Sequence, residues 1–281
     1  GGNTTGSNNV AMGNSALGSN STGSNNGAFG YAALLNCTGS QNNAFGHEAL
    51  TSLTSNTQCN AFGESALKNF VSTTGKNNAF GQQALEDCTT GSSNSAFGHD
   101  VLRECTSGDN NSAFGHAALQ SSTTASGNTA FGKAALVSCS TGNNNTAVGI
   151  DALRLVSTGA NNIGIGFEAN ESCTTGSSNI GIGASSLLSL SSGNNNIGIG
   201  PDGGRGISTG SNNICIGLDA GRSNSPSGQI TTGSNNVVLG DNNISNLFCA
   251  DTSISSSDSR DKTDIADFNI GLAWINALRP D

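Results

Sequence analysis

The sequence repeats itself about every 17 residues, and this period limits the fold more than any other feature. Each repeat contains the phrase Asn, a spacer, then Ala-Phe-Gly or Ile-Gly-Ile-Gly, whose last residue we call the closing glycine. The sequence numbers of successive closing glycines differ by 17, 16, 17 and 18, then by 17 eight times, and finally by 23. A period of this length is typical of a solenoid coil that stacks on its neighbours. The closing glycines are Gly13, Gly30, Gly46, Gly63, Gly81, Gly98, Gly115, Gly132, Gly149, Gly166, Gly183, Gly200, Gly217 and Gly240.

Two columns of apolar residues keep a fixed distance from the closing glycines. We expect both columns to face inward. The Leu column, defined below, is interrupted at Asn170, Gly204 and Gly221, and we expect Ile244 to continue it. The Phe/Ile column directly precedes the glycines and comprises Met12, Phe29, Phe45, Phe62, Phe80, Phe97, Phe114, Phe131, Val148, Ile165, Ile182, Ile199, Ile216 and Leu239. The Leu column lies four residues after them and comprises Leu17, Leu34, Leu50, Leu67, Leu85, Leu102, Leu119, Leu136, Leu153 and Leu187.

A column of asparagines lies four residues before the closing glycines, and Cys59 is the one exception in it. We expect each amide to bond to local backbone and to the Asn of the next coil, and the Asn itself to adopt the left-handed conformation of a corner. The Thr-Thr-Gly segments supply the other corner. Each coil is predicted to be two short strands joined by two corners, in an all-β fold. The Asn column comprises Asn9, Asn26, Asn42, Asn77, Asn94, Asn111, Asn128, Asn145, Asn162, Asn179, Asn196, Asn213 and Asn236.

From Ile163 onward the strand phrase changes to Ile-Gly-Ile-Gly. This spacing places Ile163 and Ile165 on one face of the strand, because successive side chains of a strand alternate between its two faces. We expect this second isoleucine to compensate for the gaps in the Leu column.

The chain is acidic and poor in charged residues. Only 10% of its residues are charged, against roughly 25% in typical soluble proteins, and the net charge of −9 argues against a nucleic-acid binder. No apolar run approaches the ~18 residues of a membrane span. We expect neither a cofactor nor a metal.

The predicted core is thin. Two apolar column residues in each coil cannot offset an ordering entropy of more than about 1 kcal/mol for every residue. We therefore expect several chains to associate side by side around one axis. At roughly 4.8 Å per coil, fourteen coils would form a rod of about 65 Å.

The repeats of residues 1–240 resemble the left-handed parallel β-roll heads of trimeric autotransporter adhesins, the YadA-like family, and the related repeats of phage and giant-virus tail fibres. The resemblance rests on the Asn-x-Ala-Phe/Val/Ile-Gly phrase followed by Ala-Leu and Thr-Thr-Gly. It implies a homotrimeric rod of three rolls. Adhesin heads of that family use a shorter coil than this chain.

After Leu239 the period lapses, and residues 241–257 form a transition to a second module. Residues 267–278 are predicted to form a short C-terminal helix that Pro280 ends. The pattern Ser257-Asp258-x-Arg260-x-Lys262, followed by a Leu-Arg-Pro end, is similar to the opening of the intramolecular chaperone of endosialidase domain of phage tail spikes and fibres. Residues 258–281 would be the truncated start of that domain, which trimerises its fibre.

The same resemblance implies self-cleavage between Ser257 and Asp258. Ser257 would be the nucleophile, and Lys262, with a lowered pKa, would be its base. This is the only enzymatic activity that we expect. The alternative is an exposed linker and docking helix in which Ser257 and Lys262 are merely solvated.

Two other sets of residues recur at a fixed position. His47, His99 and His116 each follow a closing glycine. They could form a metal site, but solvated surface positions are favoured, because no carboxylate or second histidine is evidently fixed beside each one. Cys37, Cys88, Cys105, Cys139 and Cys173 lie seven residues after a closing glycine, where small apolar fillers are favoured over disulfides between chains.

The function that we predict is a viral or phage tail fibre that binds a host-surface glycan or protein. Its partners would be two further copies of the chain and other tail proteins of the virion, and it would be extracellular after release. Arg205 and Arg222, which follow gaps in the Leu column, and Ser223 and Asn224, which begin a six-residue insertion, are candidate receptor contacts. An insertion of this kind is more often a harmless bulge between coils. The alternatives are a trimeric adhesin of the bacterial cell surface and, less favoured, an ice-binding solenoid.

Overall fold

The structure, a computed structural model, describes residues 3–55 and 58–246. The chain divides into two compact units, Gly1–Asn243 and Ile244–Asp281. The described residues contain fourteen strands of three residues each and no α-helix. The strands are β1 Val10–Met12, β2 Gly27–Phe29, β3 Asn43–Phe45, β4 Asn60–Phe62, β5 Asn78–Phe80, β6 Ser95–Phe97, β7 Ser112–Phe114, β8 Thr129–Phe131, β9 Thr146–Val148, β10 Ile163–Ile165, β11 Ile180–Ile182, β12 Ile197–Ile199, β13 Ile214–Ile216 and β14 Val237–Leu239.

All fourteen strands form one parallel sheet in the order of the sequence. Each strand pairs with the equivalent residues of its neighbours, as Ala113 pairs with Ala130 and Phe114 with Phe131. A parallel, in-register sheet with one strand per repeat is a β-solenoid. The predicted all-β solenoid, with one coil for each sequence repeat, is therefore confirmed.

The Phe/Ile column faces outward, so its predicted inward orientation is wrong. Phe131 remains 43% exposed and Ile216 40% exposed, whereas the middle residue of the strand, Ala130 in β8, is fully buried. Because side chains alternate along a strand, an inward middle residue sends both of its neighbours outward. The coil interior is narrow at this point, and alanine, glycine or cysteine fits it where phenylalanine does not.

The isoleucines of the later strands follow the same rule. Ile163 and Ile165 share one face, as predicted, but this face is the outer one. Gly164 takes the inward place between them, since a Cβ there would come within 2.9 Å of the Leu153 Cγ atom. The second isoleucine therefore adds to the outer surface and does not fill the core.

The Leu column is buried, as predicted. A further inner column lies seven residues after the closing glycines, and it contains Leu53, Phe70, Val156, Leu190 and Ile207 as well as five of the cysteines, all fully buried. We did not predict this column as a whole, because no single residue type marks it in the sequence.

The later coils fill the gaps in the Leu column with neighbouring side chains. A Cβ at Gly204 would lie 2.7 Å from Leu187 Cδ2, and one at Gly221 would lie 2.8 Å from Cys215 Sγ, so side chains from adjacent positions already occupy this space. Asn170 is buried, and its Nδ2 donates to the carbonyl of Ile163. Ile244, by contrast, is 59% exposed, so its predicted inward orientation is wrong.

Each coil contains one strand and one tight turn, not the two strands that we predicted. The turn follows the closing glycine, and two of its residues adopt left-handed backbone, as at Ala117 (φ 56°) and Leu119 (φ 52°). The turn still bonds to both neighbouring coils: the amide of Leu119 donates to Ala135, and that of Ala117 donates to His99. Hydrogen bonds between coils therefore continue where the strand has ended.

The Asn column joins the coils through their interior. The backbone N–H of Asn111 donates to the Oδ1 of Asn94 at 2.9 Å, and its Nδ2 donates to the carbonyl of Ala125 at 2.9 Å. The predicted bond between successive asparagines is thus confirmed. The left-handed residue, however, is the one before the column, such as Asn110 with φ 59°.

Candidate functional site

The most extended candidate site is the exposed Phe/Ile column. Seven phenylalanine rings, from Phe29 to Phe131, stack on one another with centroids 4.4–4.7 Å apart and planes within 13° of parallel. Val148, the isoleucines and Leu239 continue the column to β14, each between 36% and 44% exposed. Large apolar surfaces that remain exposed on a folded chain mark interaction sites.

The apolar surface becomes wider in the second half of the roll. Ile150, Phe167 and Leu218, which directly follow closing glycines, are 48–54% exposed. The outer isoleucine that begins β10 is partly exposed as well, and the same position in β2 to β9 is occupied by Gly, Asn, Ser or Thr. The surface therefore changes from a narrow aromatic column to a broader aliphatic one.

The arginines that we predicted as receptor contacts belong to an ion-pair network. Arg205 Nη1 lies 2.8 Å from Asp202 Oδ1, while Arg222 Nη1 lies 3.1 Å from Asp202 Oδ2 and 2.6 Å from Asp219 Oδ1. Asn224 donates its Nδ2 to Asp219 Oδ2, and this hydrogen bond, together with Arg222, lowers the pKa of the Asp219 carboxyl. The structure thus brings three of the four predicted residues together.

Ser223, the fourth predicted residue, is exposed in the inserted loop. Sequence reasoning missed the two aspartates, although the spacing Asp-x-x-Arg occurs at 202–205 and at 219–222 and was the available signal. The side chains of Arg205 and Arg222 are 40% and 38% exposed. Donors that the aspartates leave unused can therefore face an external acceptor.

The histidines are less isolated than we predicted. His99 Nδ1 lies 2.9 Å from Asp100 Oδ2, and the His99 ring stacks on that of His116 with centroids 5.3 Å apart. The expectation that no carboxylate or second histidine lies beside each imidazole is therefore wrong for His99. His47 stacks instead on Tyr31, with centroids 5.1 Å apart.

The five cysteines that lie seven residues after a closing glycine are buried free thiols of the core. Cys139 Sγ lies 3.3 Å from the carbonyl oxygen of Gly142, to which it can donate. Burial raises the pKa of Cys139 to about 12, so the thiol stays protonated at neutral pH. These features agree with the role of apolar filler that we predicted.

The candidate self-cleavage residues, Ser257 and Lys262, and the predicted helix at 267–278 lie outside the described residues. Within residues 3–55 and 58–246, no helix has the length and apolar character that crossing a membrane requires. No family model, curated protein or solved structure matches this chain.

Proposed function

We propose that the chain is a structural fibre protein of a virus or phage, which attaches the particle to a host surface. In this proposal three copies pack their rolls around one axis, and the Phe/Ile column of each copy covers the columns of the others. The polar sides of the rolls then remain free to bind a host glycan or protein. The observation that carries the proposal is the exposed Phe/Ile column, which continues through all fourteen strands.

The spacing of residues in this column limits which surface can cover it. A surface that contacts every coil must present an apolar group at each step of about 4.8 Å along the roll. A second copy of this chain, lying parallel, has that spacing over the same length. A closed ring of identical copies also leaves no column uncovered, and such symmetry is the rule for soluble oligomers.

A charge in the Phe/Ile column tests this assembly. We expect wild-type protein to have a mass of about 84 kDa, three times the chain mass of 27.9 kDa, and Phe97→Asp to shift it to the single-chain mass. Three carboxylates would be brought together near the axis, and each buried, unpaired charge costs several kcal/mol. Analytical ultracentrifugation measures both masses.

Val71→Asp is the matched control, since Val71 is an exposed apolar residue, 49% accessible, outside the Phe/Ile column. It should leave the mass of the assembly unchanged. A wild-type chain that sediments as a monomer, or equal dissociation of both variants, would contradict the proposal.

Attachment would use the polar surface that contains Arg205, Arg222, Ser223 and Asn224. Asp202 and Asp219 form ion pairs with the two guanidinium groups, and these pairs fix the direction in which each group points. A partly exposed arginine side chain can form paired hydrogen bonds with a carboxylate or a phosphate. We therefore propose an acidic glycan as the favoured class of receptor.

Self-cleavage at the Ser257–Asp258 bond remains part of the proposal. It is supported by the spacing of Ser257, Asp258 and Lys262 in the sequence. Protein expressed with its downstream sequence should yield a fragment whose last residue is Ser257, and Ser257→Ala should abolish that fragment. Mass spectrometry of the purified trimer measures the cut, and intact wild-type chains in assembled trimers would contradict it.

A further inference from the structure

Two imidazole rings lie side by side on adjacent coils of the roll. His99 follows β6 and His116 follows β7, and these strands pair in register, with Phe97 opposite Phe114. The two rings are parallel within 5°, and their centroids are 5.3 Å apart. The in-register stacking of coils therefore places two metal-binding side chains next to each other although they lie one full repeat apart in the sequence.

A carboxylate completes this group. Asp100 Oδ2 lies 2.9 Å from His99 Nδ1, and one ligand atom from each of His99, Asp100 and His116 falls within 4.8 Å of the others. The other oxygen of Asp100 lies 3.5 Å from Arg103 Nη1, so this carboxylate is held from both sides. Its side chain is only 13% exposed, whereas that of His99 is 44% exposed.

We propose that His99, His116 and Asp100 bind one divalent transition-metal ion of the zinc class. Imidazole and carboxylate ligands suit Zn²⁺, which takes them at about 2.0–2.2 Å and prefers four ligands in a tetrahedron. Water, or a group from another molecule, fills the fourth position. This inference does not depend on the proposed fibre function.

Binding requires a small movement of exposed groups. Tetrahedral ligands around Zn²⁺ lie about 3.4 Å apart, while the three ligand atoms here lie within 4.8 Å. The two imidazoles must tilt toward each other, and their exposed rings are able to do so by side-chain rotation. The pairing of β6 with β7 holds the backbone of both coils in place, because each histidine lies only two residues beyond its strand.

Among the described residues, this is the one group in which three such ligand atoms lie so close together. His47 occupies the equivalent position of an earlier coil, but its ring stacks on Tyr31, and Glu64 takes the corresponding place in the following coil. The carboxylate of Glu48 lies 3.9 Å from His47 Nδ1. His47 thus has a neighbouring acid but no second imidazole, which makes it a matched internal control.

The test is calorimetric titration of the full chain with Zn²⁺. We expect one ion per chain, with affinity reduced by more than about 100-fold in both His99→Ala and His116→Gln, and by about 10- to 100-fold in Asp100→Asn. His47→Ala should bind Zn²⁺ as the wild type does. Zn²⁺ should also raise the melting temperature of the wild type, because a ligand that binds only the folded state stabilises it.

The absorption spectrum of bound Co²⁺ identifies the ligands. Co²⁺ bound to histidine and carboxylate gives visible absorption without the intense near-ultraviolet thiolate bands, and this is the spectrum that we expect. Thiolate bands would assign the metal to cysteines and overturn the proposal. The absence of Zn²⁺ binding by the wild type, or unchanged binding in His116→Gln with an unchanged circular dichroism spectrum, would overturn it as well.

Discussion

Replacing one closing glycine by alanine, Gly132→Ala, should lower the free energy of unfolding by more than about 3 kcal/mol. Two effects add up at this position. Gly132 has a φ of +140°, and an L-residue held in such a sparsely populated region costs about 1–3 kcal/mol. The new Cβ would also lie only 2.6 Å from the carbonyl carbon of Gly149, and nearer still to its oxygen.

No small structural change can remove the clash at Gly132. The opposing atoms are backbone, so no side-chain rotation can remove the contact. The two coils would have to separate, and the hydrogen bond of 2.7 Å from the Gly149 amide to the carbonyl of Phe131 lies directly at this point. Shifts of the denaturation midpoint at constant slope measure the loss.

Gly228→Ala is the control for positive φ without a contact between coils. Gly228 also has positive φ, at +64°, but no atom lies within 4 Å of a Cβ built there. We expect it to cost about 1–2 kcal/mol, the ordinary cost of left-handed backbone for an L-residue. Equal losses for Gly132→Ala and Gly228→Ala would show that contact between coils is not what selects glycine at the closing position.

The period, the solenoid and the Asn column could be predicted from the sequence, because each repeats a single residue type at a single position. The spacing of closing glycines gives the coil length directly. The bond from the Asn111 amide to the Oδ1 of Asn94 follows from that spacing, since identical residues stack in register.

The direction of the Phe/Ile column could not be read from hydrophobicity alone. Both Phe114 and Leu119 are apolar and periodic, and only the width of the coil decides which one enters it. The available signal was the residue before Phe114, Ala113, which is small in nearly every coil and fully buried. A constant small residue beside a constant large one indicates that the small one faces the core.

The clusters of side chains were harder to predict from the sequence than the fold was. Stacking of His99 on His116 was predictable from the period, but the turn that brings Asp100 against His99 Nδ1 depends on left-handed backbone at Asp100 itself, with φ 58°. The same turn position is left-handed in other coils with quite different residues, such as Glu48, Ala117 and Ser185, so the residue type gives no warning of it in the sequence. Alternating strand geometry would have sent the two side chains in opposite directions.

Removing one amide from the Asn column should lower the free energy of unfolding nearly as much as replacing a closing glycine by alanine. Asn145 Oδ1 accepts from the backbone N–H of Asn162 at 2.9 Å, and Asn145 Nδ2 donates to the carbonyl of Gly159 at 2.9 Å. Asn145→Ala leaves both backbone groups without these partners inside the roll. An unsatisfied buried group costs about 1–3 kcal/mol, so we expect a loss of about 2–6 kcal/mol in the free energy of unfolding.

Asn145→Asp separates the hydrogen bonds that the amide accepts from those that it donates. A carboxylate keeps the acceptor for Asn162 but cannot donate to the carbonyl of Gly159, and it buries a charge at a fully buried site. Burial would raise the pKa of this new carboxyl above its unfolded value. The folded state would then hold its proton to higher pH than the unfolded chain does, so the variant should lose stability as pH rises from about 4 toward 7.

Asn144→Ala provides the matched control, because Asn144 is the exposed left-handed neighbour, with φ 58°. It should cost no more than about 2 kcal/mol, the range for left-handed backbone, and its effect should not vary with pH. If Asn145→Ala lost no more stability than Asn144→Ala, the buried asparagines would be fillers of the corner. If it loses several times more, the hydrogen bonds of the Asn column hold one coil to the next, and the interior of this narrow roll is stabilised by amides as well as by its leucines.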